Sequence, residues 1–297
     1  MFEGKKRDVM KIIVKSSQDT AERIGGRWGL TDIQKVVETK RAAVYKALGP
    51  TGPVALKLYN QIGASGEGAA ITFLRQLRSG FGVQILRVNP MRTAVLMEWL
   101  DGPDLDSLVK GNTELEAARH LTTVAKATAQ TDFTRQFIYR RLAPKLQQDF
   151  IRKIAKDDTA SPDRDFKRAA LILDELVQTT ARERVVHGDL GFSNVILTKD
   201  GPRLIDPKGL RADPAHEFGK AMIQAYGSVS IEEYVARIKS RAEIMAGGIN
   251  ASPQRVIRWG AVVQARSMFK HKATSPQRQT VEPYLEAYLD LAEQKRA

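Results

Sequence analysis

Hydrophobic periodicity changes once along this 297-residue chain, near position 100. Before it, apolar residues come in short β-rich runs: Gln34 to Glu38, Ala42 to Ala47, Val54 to Tyr59, Val83 to Val88 and Ala94 to Trp99. Such runs, two of them separated by Gly49-Pro50-Thr51-Gly52-Pro53, predict an antiparallel sheet. Between the third and fourth runs, Ala70, Phe73, Leu74 and Leu77 recur at helical spacing. That spacing predicts one inserted helix over Ser65 to Leu77, with Ser65 as N-cap. After Asp101 the period becomes helical, as in Ala117, Leu121, Val124 and Ala125, or Phe166, Ala169, Ala170, Leu173, Leu176 and Val177. The last helix carries Val281, Tyr284, Leu285, Tyr288, Leu289 and Ala292 on one face. One strand pair interrupts the helices, Asn194 to Thr198 and Arg203 to Asp206, closed by Lys199-Asp200-Gly201-Pro202. The Asp-Gly pair is expected to supply the positive backbone angles of a tight reversal. The expected class is α+β, divided into a sheet-bearing part with an N-terminal helical extension (1–98) and a mostly helical part (99–297).

The chain has no cysteine, so its core must close without disulfides, and its length suffices for that. The opening MFEGKKRDVMKIIVKSS has only Ile12 to Val14 as an apolar core, and no later stretch approaches about eighteen apolar residues. Neither secretion nor membrane insertion is expected, and the default location is cytoplasmic. Net charge is +13; the first hundred residues hold 16 basic and 8 acidic groups, the rest 31 and 26. This excess favours an anionic partner such as a nucleotide. Nucleic acid is disfavoured, because the basic residues are dispersed and no recognition signature accompanies them. The sequence carries no signal for oligomeric state.

The densest chemistry lies in Val185-Val186-His187-Gly188-Asp189-Leu190-Gly191-Phe192-Ser193-Asn194, followed after the strand pair by Leu204-Ile205-Asp206. Phosphoryl transfer from a nucleotide needs a carboxylate to receive the acceptor's proton, oxygen ligands for magnesium, and a cation on the phosphates. Asp189 suits the first role, Asn194 and Asp206 the second. His187 is expected to hold the loop by hydrogen bonds, since Asp189 already fills the role of base. His120 and His271 fall on predicted helices and His216 near a helix start, without metal-ligand spacing. The cation has a candidate in Lys57, among apolar residues on the third predicted strand. Glu67, in the first turn of the inserted helix, is placed to pair with it. Taken singly, Lys57 reads as a lysine snorkelling from an edge strand and Glu67 as a solvated first-turn carboxylate. Their order ahead of the Asp189 hairpin favours the functional reading.

These residues resemble the protein-kinase-like superfamily, specifically the aminoglycoside phosphotransferase branch with its HGDxxxxN motif. Ile205-Asp206-Pro207-Lys208-Gly209 followed by Asp213-Pro214-Ala215 resembles the streptomycin and hydroxyurea kinase group within it. The resemblance runs from about Ile33 to Phe218. It implies a bilobal fold, with ATP and Mg2+ as cofactors and a small-molecule hydroxyl acceptor. It also implies that the linker Glu98-Trp99-Leu100, just after Met97, offers backbone groups to adenine. Three features depart from the pattern. The first hairpin loop, Glu38-Thr39-Lys40-Arg41, has no glycine to cradle phosphate, so that Lys40 and Arg41 either substitute charge or form a solvated turn. Pro207 stands where protein kinases place Phe, and Glu217 where relatives carry a second aspartate.

The alternatives are a Ser/Thr protein kinase and a nucleotide-binding regulatory pseudokinase with a basic partner-binding N-terminal part. Only six residues separate Asp206 from Asp213, too few for a peptide-docking segment. Retention of Lys57, Asp189, Asn194 and Asp206 together argues against a scaffold. Aminoglycosides are polycations that call for a carboxylate-lined pocket. Asp101, Asp104, Asp106, Glu114 and Glu116 form an acidic stretch after the linker, a pattern that is usually just a solvated face, and the acceptor stays open, as does the role of Lys208.

Overall fold

The computed structural model describes residues 18–60, 67–91, 93–110, 113–156, 164–223, 229–271 and 275–294. Ser65 and the opening segment with Ile12 to Val14 lie outside them. The chain divides into two compact units, Met1–Arg75 with Gly82–Asp101, and Gln76–Phe81 with Gly102–Ala297.

In the first unit a helix over 18–27 (α1) precedes β1 (Thr31–Glu38), β2 (Ala42–Gly49), β3 (Gly52–Tyr59), α2 (Glu67–Gln76), β4 (Ile85–Val88) and β5 (Ala94–Glu98). The strands form one antiparallel sheet in the order β1-β2-β3-β5-β4. Period-two alternation builds its core: Ala43, Tyr45 and Ala47 from β2, Val54, Leu56 and Leu58 from β3, and Ala94 and Leu96 from β5 bury one face with Ala21 of α1. Burying each large side chain there contributes about 1.5–3 kcal/mol before entropy. Lys57 occupies the opposite face, since it alternates with Leu56 and Leu58. β3 is the middle strand of five, so the edge-strand reading of Lys57 is wrong.

The second unit contains α3 (Leu105–Lys110), α4 (Glu114–Gln130), α5 (Ala143–Lys156), α6 (Arg164–Gln178), α7 (Ile231–Ile249), α8 (Pro253–Ser267) and α9 (Pro276–Glu293). Packing joins α4 to α7, α6 to α8, and α8 to both α7 and α9. Ser230, Ser252 and Ser275 cap the last three helices, each hydroxyl accepting the amide three residues on. Five short strands thread between helices: β6 (Arg140–Arg141), β7 (Arg184–Val186), β8 (Val195–Thr198), β9 (Gly201–Leu204) and β10 (Leu210–Ala212). β10 lies between β6, to which it is parallel, and β7, to which it is antiparallel. Strands of two or three residues are too short to show a period, which is why this small sheet has no signature in the sequence.

Two expectations need correction. The second strand of the β8–β9 pair runs Gly201–Leu204 and not Arg203 to Asp206, because the loop is only Lys199-Asp200. Gly201 alone carries a positive φ, +113°, and the Thr198 hydroxyl closes the turn by donating to the Gly201 carbonyl and accepting the Asp200 amide. His271 follows a 3-10 turn, Met268–Lys270, and is not helical. Among the described residues no helix is long and apolar enough to cross a membrane.

Candidate active site

β7 delivers the chain to His187, whose ring is wholly buried. Its Nε2 meets the Ile205 carbonyl at 2.9 Å, and its Nδ1 accepts the Asp189 amide at 3.3 Å. That pairing requires a neutral ring with the proton on Nε2, and burial agrees by pulling the ring down to about 4. The His187 carbonyl accepts the Lys208 and Gly209 amides, and its own amide donates to Glu217 at 2.9 Å. One histidine thus joins the loop before Asp189, the segment around Asp206 and the segment around Glu217, the hydrogen-bonding place expected of it. Gly188, next in the chain, has φ +78°, and a Cβ there would stand 2.7 Å from Leu210. Only glycine takes that conformation without strain.

Asp189 follows Gly188 directly, its carboxylate part-exposed. Lys208 Nζ reaches one oxygen at 3.1 Å and Lys220 Nζ the other at 3.2 Å. Asn194 ends a 3-10 turn, Phe192–Asn194, and donates its side-chain amide to the Asp189 carbonyl at 2.8 Å. That bond uses the nitrogen and leaves the side-chain oxygen as an acceptor. The Ile205 amide donates to the Asn194 carbonyl at 3.0 Å. Ile205 is therefore held from both sides, by Asn194 and by His187, immediately before Asp206. Asp206 is exposed and has φ +56°, an uncommon conformation for a residue with a side chain. The fields of Asp189, Asp206 and Lys220 all reach the His187 ring, so these groups share one locality.

A divalent cation here could draw on the Asn194 side-chain oxygen and the Asp206 carboxylate. Both are hard oxygens, which suits Mg2+ completed by water and phosphate oxygens. Among the described residues no group of three or more His, Asp or Glu is assembled as a metal cage.

The remaining predicted residues lie in the other unit. Lys57 stands 4.9 Å from the Tyr59 ring centroid, and Glu67 opens α2. Lys40 and Arg41 are exposed at the β1–β2 turn, where the Thr39 hydroxyl accepts the amides of Arg41 and Ala42. Those two amides are consumed within the loop and are not available to a phosphate. The Glu98 amide donates to the Gln84 carbonyl, and the Glu98 carboxylate accepts the Gln84 amide. The Leu100 amide has no hydrogen-bond partner among the described residues.

Sequence reasoning missed three supporting groups. Glu217, noted only as a departure, is 3% exposed and accepts the amides of both His187 and Gly188. Burial pushes it up to about 7 against those two donors. Asp213 caps the 3-10 turn Pro214–Phe218 through the Ala215 amide, and its other oxygen takes Trp259 at 2.8 Å and Arg255 at 2.7 Å, both on α8. This bracing fixes Glu217 beneath His187. Lys220 was not singled out because a lysine after a glycine has no local signature; only its arrival at Asp189 reveals it.

A family model described as "Aminoglycoside/hydroxyurea antibiotic resistance kinase" matches residues 27–273. No curated protein matches. Among solved structures, a choline/ethanolamine kinase family protein from Mesorhizobium loti is similar at 14% identity and TM-score 0.62, covering 88% of each chain. A thermostable mutant of aminoglycoside phosphotransferase APH(4)-Ia, in ternary complex with ADP and hygromycin B, matches at 14% identity and TM-score 0.63 over 92% of this chain and 99% of that one. Choline kinase LicA from Streptococcus pneumoniae matches at 12% identity and TM-score 0.63, over 94% and 100%. At these identities the likeness to solved structures is one of fold: a protein-kinase-like α+β architecture.

Proposed function

The chain belongs to the aminoglycoside/hydroxyurea antibiotic resistance kinase family, and from that premise we propose that it moves the γ-phosphate of ATP onto a hydroxyl of a small molecule. Asp189 takes the hydroxyl proton as the acceptor oxygen bonds to the γ-phosphorus. The bond from that phosphorus to the β–γ bridging oxygen breaks, and ADP leaves with the electron pair. Asn194 and Asp206 would hold Mg2+, which when bound offsets charge on the nucleotide phosphates.

The observation that carries this reading is the joint anchoring of Asp189, Asn194 and Asp206. The Asn194 side chain is tied to the Asp189 carbonyl, and Ile205 is tied to Asn194 and His187. A base must be held in place to gain from proximity, and a metal-binding pair must be held beside it. Lys57 is assigned to the phosphates with Glu67 orienting it, Lys40 and Arg41 add charge from the first hairpin, and Glu98 and Leu100 take adenine. The β10 strand and the 3-10 turn fill the interval between Asp206 and Phe218, which supports a small acceptor over a docked peptide. Use of ATP accords with a cytoplasmic location.

The deciding experiment compares Asp189→Asn with Asp206→Asn. The first should keep ATP affinity and melting temperature while turnover falls by roughly 10²–10⁴. The second should lose nucleotide and metal binding together. Undiminished turnover in Asp189→Asn would refute the assigned base.

A further inference from the structure

Ahead of the catalytic loop, Arg182-Glu183-Arg184 sets one carboxylate between two guanidinium groups. Glu183 serves neither neighbour. Its oxygens accept Arg141 Nε at 2.8 and 3.0 Å and Arg211 Nη2 at 3.3 Å, from β6 and β10. Arg182 and Arg184 instead line a pocket that Glu183 does not, and two residues of chain put their Cα atoms at most about 7 Å apart. The pocket holds about 330 Å³, counted to its open mouth, between the end of α4, the 131–136 segment and the start of β7. Ala129, Phe133 and Val185 supply apolar lining, and Asp132 is the third charged group. The Thr128 and Thr131 hydroxyls that also line it already donate to the Val124 and Ala127 carbonyls. Arg182, Arg184 and Asp132 differ: among the described residues none of them makes an ion pair or a side-chain hydrogen bond. Charged groups of both signs thus border one opening without meeting each other.

We propose that this pocket binds a small phosphate monoester, with the phosphate on Arg182 and Arg184 and an ammonium or hydroxyl of its carbon part on Asp132. A guanidinium offers a planar fork of donors that matches two oxygens of one oxyanion, and two forks at this spacing can share a single phosphate. A carboxylate has only two oxygens and would satisfy one fork. Asp132 sets the rest of the ligand. It repels a bare anion, so a group that carries a donor beside its phosphate is held better than phosphate alone. The volume is at the low end for ligand sites and suits a head group with a few carbons, not a nucleotide. None of the residues assigned to ATP, Mg2+ or the acceptor lines the pocket, so the site goes beyond the phosphotransfer reading and stands without it. It is nonetheless continuous with that chemistry, because Arg184 opens the strand that ends at His187.

The test titrates the full chain, without nucleotide or metal, with phosphoethanolamine, glycerol 3-phosphate and inorganic phosphate, using ethanolamine, glycerol and acetate as controls. Calorimetry should show both monoesters binding more tightly than inorganic phosphate, and no binding of the controls. Arg182→Met and Arg184→Met should each weaken the monoesters at least about tenfold. Asp132→Asn separates a built site from a general positive field. It should weaken phosphoethanolamine, whose ammonium loses its partner, and strengthen inorganic phosphate, which loses a repulsion. Amide hydrogen exchange in the 128–136 and 182–186 segments should slow with phosphoethanolamine in wild type and not in the arginine variants. Melting temperatures within a degree or two of wild type show that the variants fold. Lys57→Ala should leave monoester binding unchanged. Four results would overturn the proposal: no monoester binding at millimolar concentration, undiminished binding in the arginine variants, both ligands strengthened by Asp132→Asn, or binding lost in Lys57→Ala. The last would move the phosphate to the nucleotide site. No outcome depends on turnover, so failure here is separate from failure of the kinase reading, which Mg-ATP binding and the Asp189 variant decide.

Discussion

His187 and His216 are buried, and burial holds both rings down at about 4, whereas Glu217 is pushed up to about 7. The consequences for stability have opposite signs. Between about 4 and 6.5 the unfolded chain binds more protons at each histidine than the fold does, so stability rises with pH through that window. Each ring accounts for on the order of 3 kcal/mol when the window is crossed. For Glu217 the fold binds the extra proton between about 4.5 and 7, so its contribution falls as pH rises through that interval. Glu217→Gln keeps one acceptor for two amides and should cost about 1–3 kcal/mol. Its deficit against wild type should be largest near pH 5 and shrink toward pH 8, because only wild type pays to ionise a buried carboxyl. Denaturation midpoints of both proteins across this range check it, and a deficit that stays flat with pH would show that Glu217 is charged in the fold throughout.

The loop around Asp189 is held by elements that no local pattern announces. β7 and β10 pair Val186 with Leu210, which seats Gly188 against the Leu210 side chain. Gly188→Ala meets both the positive φ and that contact, and should lose about 1–3 kcal/mol of stability together with turnover. Asp213→Ala removes a partner of Arg255 and Trp259 and should be costlier, about 3–5 kcal/mol, since it leaves the indole N–H without its acceptor and the guanidinium, which keeps Thr179, Thr180 and the Leu176 carbonyl, without its countercharge. Thermal melts and turnover measured on the same samples distinguish this bracing from chemistry. Asp213→Ala should lose both, whereas Asp189→Asn should lose turnover alone. The β8–β9 hairpin shows how an element can be placed two residues off from sequence. Asp-Gly is a strong turn signal, but the loop closes one residue earlier, on Lys199-Asp200, because the Thr198 hydroxyl satisfies the turn.

For the whole molecule, ligand linkage is the strongest test. Mg-ATP at about one hundred times its Kd should stabilise the fold by about 2.7 kcal/mol, and the same nucleotide with a chelator should give much less. Identical melting curves in the two conditions would count against Asn194 and Asp206 as metal ligands. Lys57→Ala and Glu67→Ala should both weaken ATP use, and the double variant should be no worse than Lys57→Ala alone if the two act as one ion pair. Fully additive losses would mean that they act separately.

What the sequence alone determined is what is written locally. The change of period near residue 100 placed a five-stranded sheet ahead of a helical part, because alternation and helical spacing are properties of neighbouring residues. The spacing of His187, Asp189 and Asn194 singled out the candidate site, because those residues lie on one short loop. Tertiary structure decided the rest. Lys57 proved to be on a central strand, which depends on β5 pairing with β3 from far along the chain. Glu217 reaches the His187 amide across thirty residues, and Lys208 and Lys220 meet on Asp189 from two separate segments. Contacts of that kind leave no period in the sequence, since what joins them is the closure of a small sheet and the bracing of one turn against a helix.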